Sequence, residues 1–337
     1  MIRPRCFQSL SVDPTVNLAI EEWLLFHVPE DEIWLYLWQN EHTVVLGKNQ
    51  NAWFECNIKA FEEDGGSLVR RLSGGGCVYH DLGNLNFTFL VRADNYDAAR
   101  QTKVLQKALL SFGITAEVSG RNDLTVHGCK VSGNAYYRSG DRRYHHGTLL
   151  VNVDPSAMGR YLTPNRLKLS AKGVSSVASR VMNLKDEVPD MTIAALQAAL
   201  RKAFWEEYQT DRELSESDAA DLRDVREALP IPEEELLPLI RKYASDEWTL
   251  RSPEPFTYLS AVKRFDEEPF RGLFQLGLTA KDGIIERAVL FTDSLDNTFS
   301  ERTEAALTGL PYHRESVKRA LTGAGLSPLT VLLADLP

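Results

Sequence analysis

The hydrophobic pattern near the start of the chain predicts a buried helix. Asp13-Pro14 is typical of a helix start, because aspartate caps free N–H groups and proline fits the first turn. The apolar positions that follow are spread around the helix: Leu18, Ile20, Trp23, Leu24 and Phe26. A helix that is apolar on most sides is buried on most sides. We therefore expect this helix to lie largely inside the protein.

Runs of β-branched and aromatic residues predict strands in the first half of the chain. Two such runs, 33–38 and 43–47, are separated by the polar residues Gln39–His42, and this spacing indicates a hairpin. Further strands are expected at 67–71, 85–91 and 148–152. Strands therefore outnumber helices in this half.

A second hairpin is predicted where residues 123–127 and 130–136 are joined by Gly128-Cys129. A helical pattern over 97–112 ends at Gly113, a residue typical of helix C-termini. Together these elements predict an α+β fold in which a mostly antiparallel sheet carries flanking helices.

The second half of the chain predicts a connector and a second domain. After an amphipathic helix over 192–208, residues 211–238 are acidic and their last third is interrupted by prolines. Three strands follow, at 258–265, 272–279 and 284–293, and then one or two helices extend through Ala320. We expect a domain of residues 1–245 and a small C-terminal α+β domain of residues 246–337. A single connector also predicts relative motion of the two domains.

Composition and charge exclude several classes of protein. The chain has 337 residues, 43% hydrophobic and 25% charged, which is ordinary for a globular protein. A net charge of −9 argues against nucleic acid as a partner, because phosphate backbones require a positive surface. No apolar run is long enough for a membrane helix and no leader segment is recognisable, so we expect no membrane association and a cytoplasmic location. The four cysteines include no C-x-x-C pair, so neither a zinc site nor a disulfide framework is expected.

Three consecutive glycines follow two arginines in Arg70–Asp81 (RRLSGGGCVYHD). Glycine allows close approach to the backbone, and exposed N–H groups of a glycine turn can hold an anion. Arg70 and Arg71 can offer forked donors to a carboxylate or phosphate. The segment matches neither the Walker nor the Rossmann pattern. On these residues alone, an anion-binding loop and a flexible turn with solvated arginines both remain open.

Two other segments carry candidate chemistry. Lys130 lies among small residues on a predicted strand, where its ammonium group can face a ligand, although an ordinary edge-strand lysine fits the same pattern. His145 and His146 are adjacent at the start of a predicted strand. Because neighbouring strand residues point to opposite faces, one of them at most faces a given pocket, and a metal site made from both is not expected.

The ordered motifs of this chain resemble those of the bacterial lipoate-protein ligase A family, within the biotin and lipoate ligase superfamily. The resemblance covers most of residues 10–185. It rests on these segments: NLAIEE (17–22), LWQN (37–40), VVLGKNQN (44–51), RRLSGGGCVYHDLGN (70–84), SGRNDL (119–124), KVSGNA (130–135), HHGTLL (145–150) and AKGVSSV (171–177).

The resemblance implies an enzyme that uses Mg-ATP to convert lipoate, and possibly octanoate, to an acyl-adenylate. The acyl group then passes to a lysine of a lipoyl domain in the 2-oxoacid dehydrogenase complexes or of the glycine cleavage H protein. Both steps require negative charge to be opposed while water is kept from the adenylate.

The resemblance also assigns residues. Lys130 is implied as the catalytic residue, and with Arg71 it would hold carboxylate and phosphate oxygens. The residues implied to bind ATP or the adenylate are Arg71, Gly75, Gly76, Cys77, Val78, Tyr79, Asn84, Asn122, Asp123 and Lys130. Those implied to contact lipoate are Trp38, Arg71, Ser73, His80, Lys130 and His146. Asp123 is the candidate Mg²⁺ ligand, because a hard cation prefers carboxylate oxygen.

Three alternatives stay open at this point. An acyltransferase of the same fold would use a cysteine thioester and no ATP, and Cys129 beside Lys130 is a candidate, although adjacent side chains on a strand point apart. A biotin ligase would carry a more arginine-rich glycine loop. A non-catalytic module that binds the acyl carrier would be expected to lack Arg71, Lys130 or Asp123, and all three are present.

Overall fold

The strands of the first part of the chain form two sheets. This computed structural model describes residues 2–120, 122–162, 181–208, 222–251 and 255–337. The strands are β1 (Arg3–Gln8), β2 (Glu32–Trp38), β3 (Thr43–Leu46), β4 (Ser67–Arg70), β5 (Val78–His80), β6 (Asn84–Arg92), β7 (Glu117–Ser119), β8 (Asp123–Val126), β9 (Cys129–Ser139) and β10 (Arg142–Leu150). The main sheet has the order β1-β2-β6-β10-β9-β8-β7, and the small sheet has the order β4-β3-β5. Apart from the parallel pairs β1/β2 and β3/β4, neighbouring strands are antiparallel, so the predicted fold class is confirmed.

Helices cover both faces of the main sheet. The α-helices described in this part of the chain are α1 (Pro14–His27), α2 (Ala52–Glu55), α3 (Ile58–Glu63), α4 (Ala98–Leu110), α5 (Pro155–Tyr161), α6 (Ile193–Tyr208), α7 (Val225–Ala228), α8 (Glu233–Ala244) and α9 (Asp246–Leu250). The predicted first helix is confirmed, and Asp13 caps it by accepting the Thr15 N–H. Of the apolar residues named for it, Leu18, Ile20, Trp23 and Leu24 are buried, whereas Phe26 is 42% exposed. Part of the predicted acidic connector, residues 209–221, lies outside the described residues.

The alternation of side chains along β2 separates two hydrophobic cores. Ile33, Leu35 and Leu37 point to the face covered by α4 and α6. Trp34, Tyr36 and Trp38 point to the other face, which packs against α1 and α8. Residues on either side of the three consecutive glycines also belong to this second core, so the glycine-rich segment lies on this face.

The predicted hairpin between β2 and β3 is wrong. β2 pairs with β1 and β6 in the main sheet, whereas β3 pairs with β4 and β5 in the small sheet. The intervening Asn40 is fully buried and accepts a hydrogen bond from Asn17 on α1. His42 then adopts a positive φ of 37°, which redirects the chain. The polar residues between the two runs thus anchor a crossing between sheets, which local turn patterns cannot distinguish from a hairpin.

Two smaller expectations also change. β10 begins at Arg142, so His145 and His146 lie in the middle of a strand and not at its start. The strand predicted over 258–265 is two short strands, β11 (Tyr258–Leu259) and β12 (Lys263–Phe265). The predicted β8/β9 hairpin is confirmed.

The C-terminal part of the chain folds around its own core. The long strand β13 (Gly272–Lys281) pairs with β11 and β12 along one edge and with β14 (Ile284–Thr292) along the other. Helices α10 (Thr298–Leu307) and α11 (Arg314–Gly323) pack with these strands around Phe274, Phe299 and Val317. This arrangement is the small α+β unit that the sequence predicts.

A buried arginine connects the end of β4 to two other segments. Arg70 is 0% exposed, and its Nε donates to the carbonyl of Thr249 at 2.8 Å. Its Nη1 donates to the carbonyls of Gly47 at 2.8 Å and Gln50 at 2.7 Å. Trp248 Nε1 donates back to the Arg70 carbonyl at 2.8 Å. Burial lowers the pKa of Arg70 to about 9, so the group is still protonated at neutral pH.

We predict that Arg70→Met lowers the free energy of unfolding by about 3 kcal/mol, because several buried carbonyls lose their donor. Urea denaturation measures the change. Arg138→Met is the matched control, since Arg138 is exposed and should change stability by less than about 0.5 kcal/mol. Equal effects of the two substitutions would contradict a structural role for Arg70.

Candidate functional site

A cavity of about 150 Å³ lies between the main sheet and the glycine-rich segment. Ten of the site residues implied by the sequence line it: Trp38, Arg71, Gly75, Gly76, Cys77, Val78, His80, Asn122, Lys130 and His146. The other lining residues were not found by sequence reasoning: Leu18, Val45, Asn86, Gly133, Asn134, Ala135, Gly147 and Thr148. Most of these belong to the quoted motifs, so motif membership was the available signal.

Four site residues implied by the resemblance do not line the cavity. Ser73 is buried, with its hydroxyl 2.7 Å from His146 Nε2. Tyr79 pairs with Val44 in the small sheet, and its ring packs in an aromatic cluster away from the cavity. The other two contact lining residues directly: Asn84 Nδ2 donates to Asn86 Oδ1 at 3.0 Å, and Asp123 pairs with Lys130. Ser73, Asn84 and Asp123 therefore contact residues of the lining, whereas the Tyr79 ring does not.

The glycine segment is an ordered loop held by Arg71. The Arg71 Nη2 donates to the carbonyls of Gly74 at 2.7 Å and Gly76 at 2.8 Å. Its Nε donates to Ser73 Oγ at 3.0 Å and its Nη1 to the Val45 carbonyl at 3.1 Å. The guanidinium is buried, so the interpretation as a flexible turn with solvated arginines is wrong for this segment.

Two glycines allow this loop to lie close to its neighbours. Gly75 has a φ of 91°, a conformation that favours glycine. A Cβ atom on Gly47 would lie 2.1 Å from the Gly75 carbonyl oxygen. The loop and the turn after β3 can therefore be in contact only because neither residue carries a side chain.

The floor of the cavity is a row of residues that crosses the main sheet. Trp38 on β2 pairs with Asn86 on β6, which pairs with Thr148 on β10. The Gly133 N–H on β9 donates to Thr148 Oγ1 at 3.1 Å, and Gly133 pairs with Asp123 on β8. One residue from each of four neighbouring strands thus lines the cavity along a line perpendicular to the strands, and Asp123 continues this row on the fifth strand behind the lining.

Lys130 lies over this row at Gly133. A register shift between β8 and β9 at Leu124/Thr125 lies beside Lys130, and such bulges re-aim side chains. A Cβ atom on Gly133 would lie 2.8 Å from Lys130 Nζ, so the ammonium occupies the space that a side chain would fill. Asp123 Oδ1 lies 2.7 Å from the same Nζ. The glycine and the carboxylate together place the ammonium in the cavity.

A buried carboxylate supports His146. Glu21 on α1 is 1% exposed, and its Oε1 lies 2.8 Å from His146 Nδ1. Thr88 Oγ1 also donates to Glu21 Oε1, at 2.7 Å, and accepts from Trp38 Nε1 at 3.1 Å. Sequence reasoning missed Glu21 as part of the site, although it lies in the quoted NLAIEE motif. The orientations of Trp38 and His146 are thus coupled through one carboxylate.

His145 points to the opposite face, as the alternation on a strand predicts. It is fully buried near Phe87 and Phe89, and burial lowers its pKa to about 3, so it is neutral. Its Nε2 lies 2.8 Å from Asn134 Oδ1. Asn134 in turn exchanges hydrogen bonds with Asn122, whose carbonyl accepts from the Asn134 N–H at 2.7 Å. His145 therefore holds the segment that carries Asn122.

The C-terminal part of the chain contacts the glycine loop directly. The Gly75 N–H donates to the Ser294 carbonyl at 3.1 Å, and a Cβ on Gly74 would lie 2.4 Å from that oxygen. Lys48 Nζ lies 2.6 Å from Glu301 Oε1 on α10. Residues beyond β14 thus contact the loop that lines the cavity.

The cysteines and acidic groups limit the chemistry of the site. Cys77 is the cysteine among the lining residues, whereas Cys129 lies outside the lining. Within the described ranges, no cluster of three or more His, Cys, Asp or Glu side chains could hold a metal ion. The AKGVSSV motif at 171–177 lies outside the described residues.

Comparisons with known proteins place the chain in a family. Residues 13–205 match the family described as lipoyl protein ligase A/B catalytic domain, and residues 262–328 match bacterial lipoate protein ligase C-terminus. A lipoate-protein ligase A of Psychrobacter cryohalolentis is 38% identical over 314 residues, covering 93% of this chain and 90% of that protein.

Two solved structures are also similar. LipL1 of P. falciparum in complex with lipoate has a TM-score of 0.79 and 28% identity, covering 97% of this chain and 98% of its own. A lipoate-protein ligase A bound with ATP has a TM-score of 0.59 and 23% identity, covering 74% of this chain and 98% of its own, which indicates a shared fold.

The first family match spans more than half of the chain and the curated relative exceeds 30% identity, so the chain belongs to the lipoate-protein ligase family. Its activity is that of an ATP-dependent ligase, which confirms the resemblance inferred from the motifs. Among the described residues, no helix is long and apolar enough to cross a membrane.

We predict that Gly133→Ala displaces the Lys130 ammonium and lowers kcat/KM for lipoate activation by about 10- to 100-fold, because a small misplacement of a catalytic group has effects of this size. Pyrophosphate release measures the rate. The lysine side chain can move, so thermal unfolding should change little. The control is Gly159→Ala on α5, where nothing lies within 4 Å of an added Cβ. Activity of Gly133→Ala equal to that of the control would contradict the placement.

Proposed function

We propose that lipoate lies along the row that crosses the sheet, with its carboxylate near Lys130 and its ring near Trp38. Strands in a sheet are about 4.8 Å apart, so the three spacings from Gly133 to Trp38 cover about 14 Å. This length suits an extended eight-carbon acid. The lipoate complex of LipL1 supports the proposal, because that protein is similar over nearly its whole length. Octanoate has the same chain length and is a second candidate substrate.

In the first half-reaction, a carboxylate oxygen of lipoate attacks the α-phosphorus of ATP, and pyrophosphate leaves. Lys130 opposes the negative charge that the two reacting groups bring together. Arg71 adds positive charge at the loop and holds the carbonyls of Gly74 and Gly76. Gly75, Gly76, Cys77 and Val78 present backbone groups along the adenylate. The observation that carries this assignment is the ammonium of Lys130, held in the cavity by Asp123 and Gly133.

In the second half-reaction, the ε-amine of an acceptor lysine attacks the acyl carbonyl, and the C–O bond to AMP breaks. The amide forms, AMP leaves with the bridging oxygen, and the amine loses a proton. Lys130 stabilises the oxyanion as it develops. The proposed acceptors are the lipoyl domains of 2-oxoacid dehydrogenase complexes and the glycine cleavage H protein. The proposed location is the cytoplasm.

Asp123 is the residue proposed to hold Mg²⁺. One of its oxygens pairs with Lys130, and its side chain is 36% exposed, which leaves the other oxygen accessible. Mg²⁺ commonly uses one or two carboxylates together with substrate phosphates and water, so a single carboxylate here fits that pattern. When bound, the ion would supply charge neutralisation at the phosphates.

The central test uses the full chain with lipoate, ATP, Mg²⁺ and a lipoyl domain. We predict that the lipoyl domain gains the mass of one lipoyl group, and that pyrophosphate is released even without the domain. Lys130→Ala should lower both half-reactions by about 10²–10³-fold, because one ammonium serves both. Lys103→Ala, at an exposed position on α4, is the control. Adenylate formation by Lys130→Ala at the parental rate would refute the catalytic assignment.

We further propose that the C-terminal domain moves between the two half-reactions. In this arrangement Ser294 lies against the glycine loop and Lys48 is paired with Glu301. The acceptor lysine must reach the acyl carbonyl, whereas adenylate formation requires water to be excluded, and one static arrangement serves both steps poorly. The connector predicted from the sequence supports such a movement.

We predict that Glu301→Lys, which places two ammonium groups at the contact with Lys48, slows adenylate formation about tenfold while transfer from supplied lipoyl-adenylate continues. The two half-reactions are measured separately. Glu286→Lys on β14 is the control, because Glu286 is exposed and lies away from this contact. If both half-reactions of Glu301→Lys match the control, the contact has no role in closing the site.

A further inference from the structure

The end of the cavity next to Trp38 contains a histidine with an unused nitrogen. His80 is 3% exposed and lines the cavity, and its ring centroid lies 6.3 Å from that of Trp38 in an edge-on arrangement. Its Nε2 is buried and has no hydrogen-bond partner among the described residues. Burial, and next the charge of Arg71, lower the pKa of His80 to about 3, so the ring is neutral. A neutral ring has one N–H, and its position decides what the nitrogen can bind.

A chain of amides fixes the position of that proton. Asn17 Nδ2 lies 3.0 Å from the Ser11 carbonyl and 2.8 Å from the Gln39 carbonyl, which requires it to be the donor end of the amide. It also donates to Asn40 Oδ1 at 3.0 Å. Asn40 must therefore direct its own Nδ2 at His80 Nδ1, 3.4 Å away. Since Nδ1 accepts, the proton of His80 lies on Nε2.

A second polar group lies at the same end. Asn86 pairs with Trp38 across the strands and is buried. Asn84 Nδ2 donates to Asn86 Oδ1, and the remaining Asn84 Oδ1 and Asn86 Nδ2 have no partner among the described residues. Turning both amides exchanges the roles and still leaves one polar atom on each residue unused. The region around Trp38 is therefore not a plain apolar pocket.

These groups discriminate between acids of equal length. An alkyl tail offers no acceptor, so it leaves the His80 N–H buried without a partner, which is unfavourable. A sulfur atom is a weak acceptor and is compatible with the donor. We propose that His80 Nε2–H recognises a sulfur-containing ring at the far end of the acyl chain, and that Asn17 and Asn40 are positioning residues that set its tautomer. The proposal rests on the proposed function, and it predicts a preference for lipoate over octanoate.

The test compares kcat/KM for pyrophosphate release with lipoate and with octanoate. His80→Phe, which keeps a ring but removes the donor, should lower the lipoate-to-octanoate ratio about tenfold, the scale of one buried unpaired donor. His80→Gln should retain much of the ratio, because the Gln Nε2 can replace the ring N–H. His27→Phe, outside the cavity on α1, should leave the ratio unchanged. An unchanged ratio in His80→Phe would overturn the proposal.

A second measurement does not depend on any variant folding. Nitrogen-15 NMR of the full chain, labelled at histidine, should show the His80 proton on Nε2, and a proton on Nδ1 would overturn the tautomer assignment. A different outcome would reject the proposed function. If neither acid gives pyrophosphate release, both the proposed function and this inference are rejected. Release with both acids and a ratio insensitive to His80 would reject the inference alone.

Discussion

Two adjacent buried guanidinium groups hold the glycine loop and the turn after β3 in place. The side chains of Arg70 and Arg71 diverge at the end of β4: one donates to carbonyls near Gly47 and in α9, and the other to carbonyls of the glycine loop. A buried cation is stable only when it is well hydrogen bonded, so each group requires these carbonyls to stay in place. The glycine loop, the turn after β3 and α9 are therefore held together by these two side chains.

The Lys130 side chain shows how the position of one group depends on several others. Its position depends on a register shift, on the missing side chain of Gly133 and on a carboxylate from the next strand. His146 likewise depends on Glu21, which comes from a helix more than a hundred residues earlier in the chain. Each of these two side chains is thus positioned by neighbours that include a residue of another element, Asp123 on β8 or Glu21 on α1.

Much of the fold follows from local patterns, because helices and strands repeat with fixed periods. The capped α1 and the β8/β9 hairpin are examples that the structure confirms. The prediction of a β2/β3 hairpin was wrong because the path of the chain depends on the hydrogen bond between Asn40 and α1. Residues near Asn40 in the sequence do not reveal that contact. The same limit applies to the site: Lys130 could be suspected from its small neighbours, whereas Glu21 and Asn86 become visible only when distant strands and helices are brought together.

The row from Trp38 to Asp123 has a consequence for how substrate range could change. Because the acid is proposed to run across the strands, the number of strands that it crosses sets the length of acid that fits. Each strand contributes one residue beside one part of the acid. Residues two positions along the same strand alter the width of the cavity without altering its length. Length and width are thus set by separate residues, and neither involves the hydrogen bonds of the sheet. A change in either dimension therefore leaves the backbone scaffold intact.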